Sequence, residues 1–523
     1  MKLFRFKGGV KLSGYKALSN KSGIIDVPLP ERLIIPLRQH IGAPAEAIVE
    51  LGEKVAKGQV IATPTTYISA PVHASTSGIV VAIEERVIPH QSGISELCIV
   101  LEPDGKDRWH KKIKPISDPD SLSAEVLISK IRQAGIVGLG GAVFPSAAKL
   151  KPTRTIDTLI INGAECEPYI TCDDVLMRFR ANAIVRGILL LRRIVEPIEC
   201  IIAVEDNKPE AIKILKVEID KLKKTGLGSV NTIQVVAVPT LFPAGGEKQL
   251  IKVVTGKEVP QHGLPYEVGV VCMNVGTTAA IYEAIYDGKP LVTRLVTVTG
   301  SQVTLPANYE VLIGTPVEHL LHVAGGTLSQ SYNLIMGGPM MGQVLPDQRV
   351  PIVKASNCIL VENTDEDSRS QAMPCIRCGS CASVCPMQLL PQQLYWYARG
   401  KDYTKLEHYN LADCIECGCC SIVCPSKIPL VQYFRFAKTE KKEYEIKAKF
   451  AEQSRVRTQA REDRLIRIKQ EQEERKAKRK AARKKKAAAK VTDTLSDATT
   501  DKNKTITVPV ISDVNQTARQ RDA

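Results

Sequence analysis

The chain has 523 residues, 44% hydrophobic and 24% charged, with 15 cysteines and a formal net charge of +15. That length exceeds one hydrophobic core and predicts two to four domains. The N-terminus, MKLFRFKGG, lacks an apolar run, and the most apolar stretch, GILLLRRIVEPIECIIAV, is broken by Arg192, Arg193 and Glu196, which excludes a disulfide-stapled secreted scaffold and a membrane span.

The expected fold class is multidomain, α/β plus all-β modules. Residues 1–115 contain short β-type runs between Gly and Pro, AIVELGEKVAKGQVIA, YISAPVHASTSGIVVAIEE and ELCIVLEP, which predict a small barrel or sandwich. This stretch resembles the biotinyl/lipoyl-type barrel-sandwich domain, but its tip, TYISAPVHAS, has no modifiable lysine, so a packing or docking module is expected. His73 in the same hairpin reads as a structural or exposed residue and not as a ligand.

Residues 116–290 alternate helical stretches (SAEVLISKIRQAG, NAIVRGILLLRRI) with strand runs (DTLIING, IECIIAVE, TIQVVAVP), the pattern of an α/β layer with a largely parallel sheet. Ligands bind such sheets at the C-terminal strand ends. Four loop blocks are rich in small, polar or acidic residues: GLGGAVFPSAAKL (138–150), NGAECEP (162–168), FPAGGEKQLI (242–251) and MNVGTTAAI (273–281). Glycines let backbone approach a ligand closely, and a helix start offers free N–H groups.

In this order the blocks resemble the flavin and NADH site of the complex I flavoprotein family. The resemblance implies FMN contacts from Gly138, Gly140, Gly141, Phe144 and Lys149. It implies contacts near the isoalloxazine and nicotinamide from Asn162, Glu165 and Glu167, and phosphate contacts from Asn274 and Thr277. Those relatives have a glycine-rich stretch after the acidic segment, where this chain has YITCDD, residues 169–174. Residues 291–345 are strand-rich and look like the β-grasp module, of the soluble ligand-binding type, that follows the flavin domain in the same relatives.

Residues 365–437 hold two copies of C-x2-C-x2-C-x3-C-P: Cys375, Cys378, Cys381 and Cys385, then Cys414, Cys417, Cys420 and Cys424. Three thiolates at three-residue spacing hold a cubane, and the fourth, before proline, ligates the other cluster. Zinc sites pair two C-x2-C units and redox motifs need only two cysteines, so the spacing predicts two [4Fe–4S] clusters in a helical ferredoxin domain. One takes Cys375, Cys378, Cys381 and Cys424; the other takes Cys385, Cys414, Cys417 and Cys420. Cys419 breaks the three-residue period and is surplus. Tyr395, Trp396 and Tyr397, on the helical stretch between the runs, are assigned to packing.

The last segment, 438–523, is a basic low-complexity tail, expected to be disordered or a solvated helix. Its residues 438–490 carry 21 Lys plus Arg against 9 Asp plus Glu, a net of +12. Basic residues without a recognisable nucleic-acid fold supply only nonspecific attraction, so no specific nucleic-acid partner is expected; anionic lipid or an acidic partner is the alternative to a merely solvated tail.

A flavin accepts two electrons from NAD(H) and passes them singly to clusters, so no catalytic side chain is nominated. The order of modules resembles the C subunit family of the Rnf-type ion-translocating electron transport complex. The resemblance implies a translocase/oxidoreductase subunit, peripheral on the cytoplasmic face of a bacterial inner membrane, docked on integral-membrane subunits. It would relay electrons between NAD(H) and ferredoxin or a similar one-electron carrier. The rivals are a soluble NADH dehydrogenase and a non-enzymatic electron-transfer or regulatory adaptor.

Overall fold

The computed structural model describes residues 2–90, 92–116, 118–151, 154–224, 230, 232–329, 331–363 and 372–496. Contacts divide the chain into two units, Met1–Thr439 and Glu440–Ala523.

The barrel-sandwich is built from two small antiparallel sheets. One pairs Leu33–Pro36, Ser95–Pro103, Gly78–Val87 and Lys54–Val55 in that order; the other pairs Ala45–Ala47, Val60–Pro64 and Val72–His73. Their inward residues, among them Leu33, Ile35, Ile61, Val80, Ile99 and Leu101, form one core. Gly78 sits at the end of the antiparallel pairing of the two long strands, opposite Pro103: a Cβ there would lie 2.1 Å from the Glu102 carbonyl oxygen. His73 is buried, and burial pushes its pKa down to about 3, so the neutral imidazole is a core group.

The α/β module has a four-stranded parallel sheet in the order Ile233–Val238, Glu199–Glu205, Thr158–Gly163, Val270–Asn274. Because side chains alternate along a strand, the sheet feeds two cores. Leu159, Ile161, Cys200 and Ile202 pack under helices Ala124–Gln133, Ala181–Val195, Pro209–Lys223 and Val275–Tyr282. Ile160, Ile201, Ala203 and Cys272 pack under helix Glu247–Thr255. Successive strands run outward from Thr158–Gly163 to Ile233–Val238, and the chain then returns to place Val270–Asn274 on the other side. The switch point therefore lies between Thr158–Gly163 and Val270–Asn274, where a crevice is expected.

The third module is a six-stranded mixed sheet, in the order Ile24–Asp26, Ala307–Leu312, Thr293–Thr299, Cys358–Asn363, Tyr332–Met336, Gln343–Val344. It reaches beyond the span 291–345. Cys358–Asn363 is a central strand, buried on both faces through Cys358, Ile359, Leu360 and Val361, and an unbroken apolar run of that kind gives no alternation to read. Likewise the first residues of the chain do not join the barrel-sandwich. Phe4 donates its N–H to Val253 O (2.9 Å), Val10 pairs with Phe242, and Gly9 donates to Val384 O (2.9 Å), so the arm runs along the α/β and cysteine-rich modules. The fully buried Lys354 ties three modules, donating to the carbonyls of Pro71 (3.0 Å) and Gly135 (2.7 Å); with no carboxylate beside it, burial pushes its pKa down to about 7.

The cysteine-rich module is helical, with Pro391–Arg399, Tyr403–His408 and the start of Leu430–Ser496 packed through Leu394, Leu406, Leu411 and Phe434. Tyr395 stacks edge-on against Tyr433 and Tyr397 lies 5.1 Å from Tyr409, which fits their expected packing role. In the second unit the helix continues to Ser496, with residues 442–490 exposed and stitched by pairs such as Lys447–Glu443. The rest of the tail, 497–523, lies outside the described residues. No helix among the described residues is long and apolar enough to cross a membrane.

Helices Ala181–Val195 and Val275–Tyr282 touch at Gly187, where a Cβ would lie 2.3 Å from Thr278 O. Gly187→Ala gains at most about 1 kcal/mol of helix propensity against about 1–3 kcal/mol of overpacking. We expect a lower urea midpoint; a higher one would contradict the close approach.

Candidate flavin site and cysteine sites

The switch-point crevice is organised by Asn274. It ends the strand Val270–Asn274 and caps the following helix, its Oδ1 accepting from Gly276 N (2.8 Å) and Thr277 N (3.3 Å) while its Nδ2 donates to Asp173 Oδ2 (2.7 Å). Thr277 Oγ1 accepts from Leu139 N (2.8 Å), which hangs the glycine loop on the helix start. The loop closes on itself through Gly138 N to Phe144 O (2.8 Å) and Val143 N to Gly138 O (3.0 Å). Gly140 packs against the Asn274 side chain, and Gly141, at φ +100°, has open space where a Cβ would point. Gly140, Gly141 and Ala142 are exposed, which leaves a strip of accessible backbone beside Asn274.

The structure thus brings Gly138, Gly140, Gly141, Phe144, Asn274 and Thr277 together. Lys149 sits at the rim in an ion pair with Glu247. Asn162 ties the third block to the second, donating to Gly245 O (2.8 Å) and accepting from Ala164 N (3.1 Å). The Cβ-free backbone at Gly140 and Gly141 suits the close approach of a flat ring, while the Gly276 and Thr277 N–H groups of the helix start are taken by the Asn274 cap.

The acidic segment is held by protein partners. Glu165 and Glu167 both turn to protein partners and do not stand free in the crevice. Glu165, at φ +49°, accepts from Asp173 N (2.6 Å) and Asp174 N (3.3 Å) at the start of helix Cys172–Phe179. Glu167 Oε1 accepts from Met340 N (2.7 Å) and Met341 N (2.9 Å), on the third module. The loop is gathered by Lys16, whose ammonium donates to the carbonyls of Glu165 (2.7 Å), Glu167 (2.9 Å) and Ile170 (2.7 Å). Lys208 adds a second buried cation, bonded to Ala164 O (2.8 Å) and Glu205 Oε2 (2.8 Å). Neither lysine stands out in the sequence, since no local motif marks them; Lys16 is 149 residues from Glu165.

The two cysteine runs fold alike. Residues 39 apart share left-handed backbone: Arg377 and Glu416 (φ +57° and +56°), Gly379 and Gly418 (+81° and +82°), Gln388 and Lys427 (+55° and +48°). These turns point successive thiols inward around two hollows. Cys375, Cys378, Cys381 and Cys424 line one, of about 410 Å³ with its mouth. Cys385, Cys414, Cys417, Cys419 and Cys420 line the other, of about 360 Å³. Each hollow takes one cysteine from the opposite run, as crossed ligation requires, and an all-thiol donor set around atom-free space suits an iron–sulfur cluster. All 15 cysteines are free of disulfides. By the 39-residue offset Cys419 corresponds to Ser380, which lies within hydrogen-bond reach of Cys378 (3.5 Å), a neighbour of a thiol more than a member of the set.

Burial raises the Glu165 carboxyl from 4.5 to about 8, against the pull of Lys16 and Lys208. A raised carboxyl stabilises the fold fully below pH 4.5, and that contribution is lost as pH rises through about 8. Glu165→Gln keeps an oxygen acceptor without the titration. Its melting temperature, relative to the parent, should therefore rise between about pH 5 and about pH 9; a constant difference would show that Glu165 ionises normally.

Comparison with known proteins follows this anatomy. Residues 4–106 match the RnfC barrel sandwich hybrid domain, 131–283 the Nuo51 FMN-binding domain, 295–344 the SLBB domain and 374–428 the 4Fe-4S dicluster domain. Proteins named as the C subunit of an ion-translocating oxidoreductase complex are similar over most of the chain. That of Pseudomonas aeruginosa is 49% identical over 91% of this chain and 60% of its own length. For Serratia proteamaculans the values are 46%, 91% and 66%, and for Haemophilus influenzae 45%, 90% and 70%. The chain thus spans between 60% and 70% of the length of these relatives. A solved NAD+-reducing [NiFe]-hydrogenase chain overlays 63% of this chain, and 64% of its own, at a TM-score of 0.44 and 18% identity, too distant to bear on the chemistry. With its FMN-binding, SLBB, barrel-sandwich and dicluster domains in one polypeptide, the chain belongs to the family of C subunits of ion-translocating oxidoreductase complexes.

Proposed function

We propose that the chain is the peripheral electron-transfer subunit of a membrane-bound complex that couples electron flow between NAD(H) and ferredoxin to ion translocation. The observation that carries this reading is the adjacency of the two kinds of site within one unit. Cys417 and Cys419 pack with Phe242, Cys166 and Met340, and Cys166 lies inside the acidic segment. The inner hollow therefore abuts the acidic segment that follows strand Thr158–Gly163.

In this reading Gly138, Gly140, Gly141 and Phe144 receive the FMN ring, with Asn162 and Lys149 beside them and Asn274 and Thr277 toward the phosphate. Bound FMN supplies the conversion between two-electron and one-electron transfer. The residues of this chain bind, orient and shield it. Cys385, Cys414, Cys417 and Cys420 hold the inner cluster, and Cys375, Cys378, Cys381 and Cys424 the outer one. The outer site opens at the surface: Cys378 is exposed, flanked by Met373 and Ile376 at 64% and 69% exposure. An exposed apolar rim around a thiol is where a one-electron carrier, or another subunit of the complex, would dock.

A peripheral position on the cytoplasmic face is supported by residues 475–490, which carry ten Lys or Arg and no acid. Such a segment is attracted to the anionic inner leaflet at about 1 kcal/mol per basic residue near the surface.

The test is anaerobic purification with iron, sulfide and flavin quantified, then NADH titration followed by EPR. We expect about eight iron atoms, one flavin, and cluster signals that appear with NADH. No flavin and no NADH-dependent signal would leave an adaptor; activity with all the protein in the cytosol would leave a soluble dehydrogenase. Cys419→Ser should keep the iron and Cys420→Ser should lose about half of it; the reverse would overturn the assignment.

A further inference from the structure

We propose that the loop 337–342, GGPMMG, is a latch that holds the inner cysteine site at a fixed distance from the flavin crevice, with Glu167 and Met340 as its positioning residues. This rests on the function proposed above.

The loop belongs to the six-stranded sheet, anchored by Gly337 N to Cys358 O (2.8 Å) and closed by Gly342 N to Gly338 O (2.9 Å). It leaves that module to touch the α/β and cysteine-rich modules. On the crevice side the Glu167 carboxylate, 173 residues away, accepts the Met340 N–H through Oε1 and the Met341 N–H through the same oxygen. The approach is close enough that a Cβ on Gly338 would lie 2.1 Å from Glu167 Cγ. On the cysteine side a Cβ on Gly418 would lie 3.0 Å from Met340 O, and Arg435 Nη2 donates to Met341 O (3.3 Å). Arg435 also pairs with Glu416 (3.1 Å), between Cys414 and Cys417. The Met340 side chain packs in the cluster formed by Phe242, Cys417, Cys419 and Cys166. One four-residue stretch, 338–341, is thus gripped from the acidic segment and from the inner cysteine run at once.

Packing alone does not call for a carboxylate here. A charged group mostly removed from water is costly unless hydrogen-bonded, and Glu167 meets that cost by fixing two N–H groups of a different module. A buried, oriented carboxylate holds backbone in register as an apolar contact, which is non-directional, does not. The consequence is mechanical. No bond forms or breaks in the loop; one electron at a time passes between the two sites, and the rate of that passage falls steeply when the intervening atoms are displaced or removed.

The test uses the full chain, loaded anaerobically. In Glu167→Ala, hydrogen exchange at the Met340 and Met341 amides should speed up about tenfold. With flavin and iron contents and dithionite-reduced EPR spectra retained, reduction of the clusters by NADH should slow about tenfold relative to bleaching of the flavin. Glu167→Gln, which retains the amide oxygen as acceptor, should restore both, and Met340→Leu should do so relative to Met340→Ala. Met340→Ala carries the same kinetic test if Glu167→Ala does not accumulate. The latch is overturned if exchange in Glu167→Ala matches the parent, or if cluster reduction keeps pace with flavin bleaching in both alanine variants. It is also overturned if Glu167→Gln slows flavin bleaching as much as Glu167→Ala, which would make Glu167 a nucleotide contact. A parent protein without flavin or NADH-dependent cluster signals would refute the proposed function instead, and the exchange measurement would still decide the latch.

Discussion

The carbonyl groups of Glu165, Glu167 and Ile170 converge on one ammonium group, that of Lys16, and the loop so gathered joins the arm, the α/β module and the third module. Carbonyl oxygens crowded on one side of a loop repel one another unless a cation collects them. Once collected, they force the backbone into the left-handed turns at Glu165 and Tyr169. Those turns aim the Glu165 side chain at the start of helix Cys172–Phe179 and the Glu167 side chain at the third module. The cation comes from the arm, beside Tyr15, whose ring stacks on Tyr169 at 4.7 Å. A single interaction thus shapes the end of the strand Thr158–Gly163, one of the two inner strands of the parallel sheet.

The two cysteine hollows obey a different constraint. Three thiols spaced by three residues cannot enclose a cubane without a fourth from elsewhere, and the proline-ended turn places that fourth thiol in the other hollow. The crossing makes the two sites interdependent, because neither run can complete its own hollow. It also gives them unequal surroundings: Cys417, Cys419 and Cys420 are buried while Cys378 is exposed. A pair of nearly identical sequences therefore yields an inner and an outer position, and the module has a direction.

Much of this was legible beforehand where chemistry is local. The cysteine spacing and the glycines at 138, 140 and 141 express constraints within a few residues. Asn274 and Thr277 entered through the resemblance, as phosphate contacts, and the helix cap that Asn274 makes is a finding of the fold. What escaped was assembled from distant segments. Strand Cys358–Asn363 has no alternation because both of its faces are buried. The arm was grouped with the barrel-sandwich by proximity in sequence, yet its hydrogen bonds go to Val253, Phe242 and Val384.

By itself the sequence determined the kinds of site: thiols at cluster spacing, and a glycine loop before a helix at the end of a parallel strand. Each follows from short-range geometry that any fold containing those residues must respect. Only the tertiary structure decided how the sites meet. The resemblance offers Glu165 and Glu167 as ligand contacts, and only the fold shows that they hold the N–H groups of Asp173, Asp174, Met340 and Met341. Lys16, Lys208 and Met340 carried no signal at all. The physical reason is that a hydrogen bond spanning 149 or 173 residues leaves no period in the chain. It exists only after the sheets have brought its partners together.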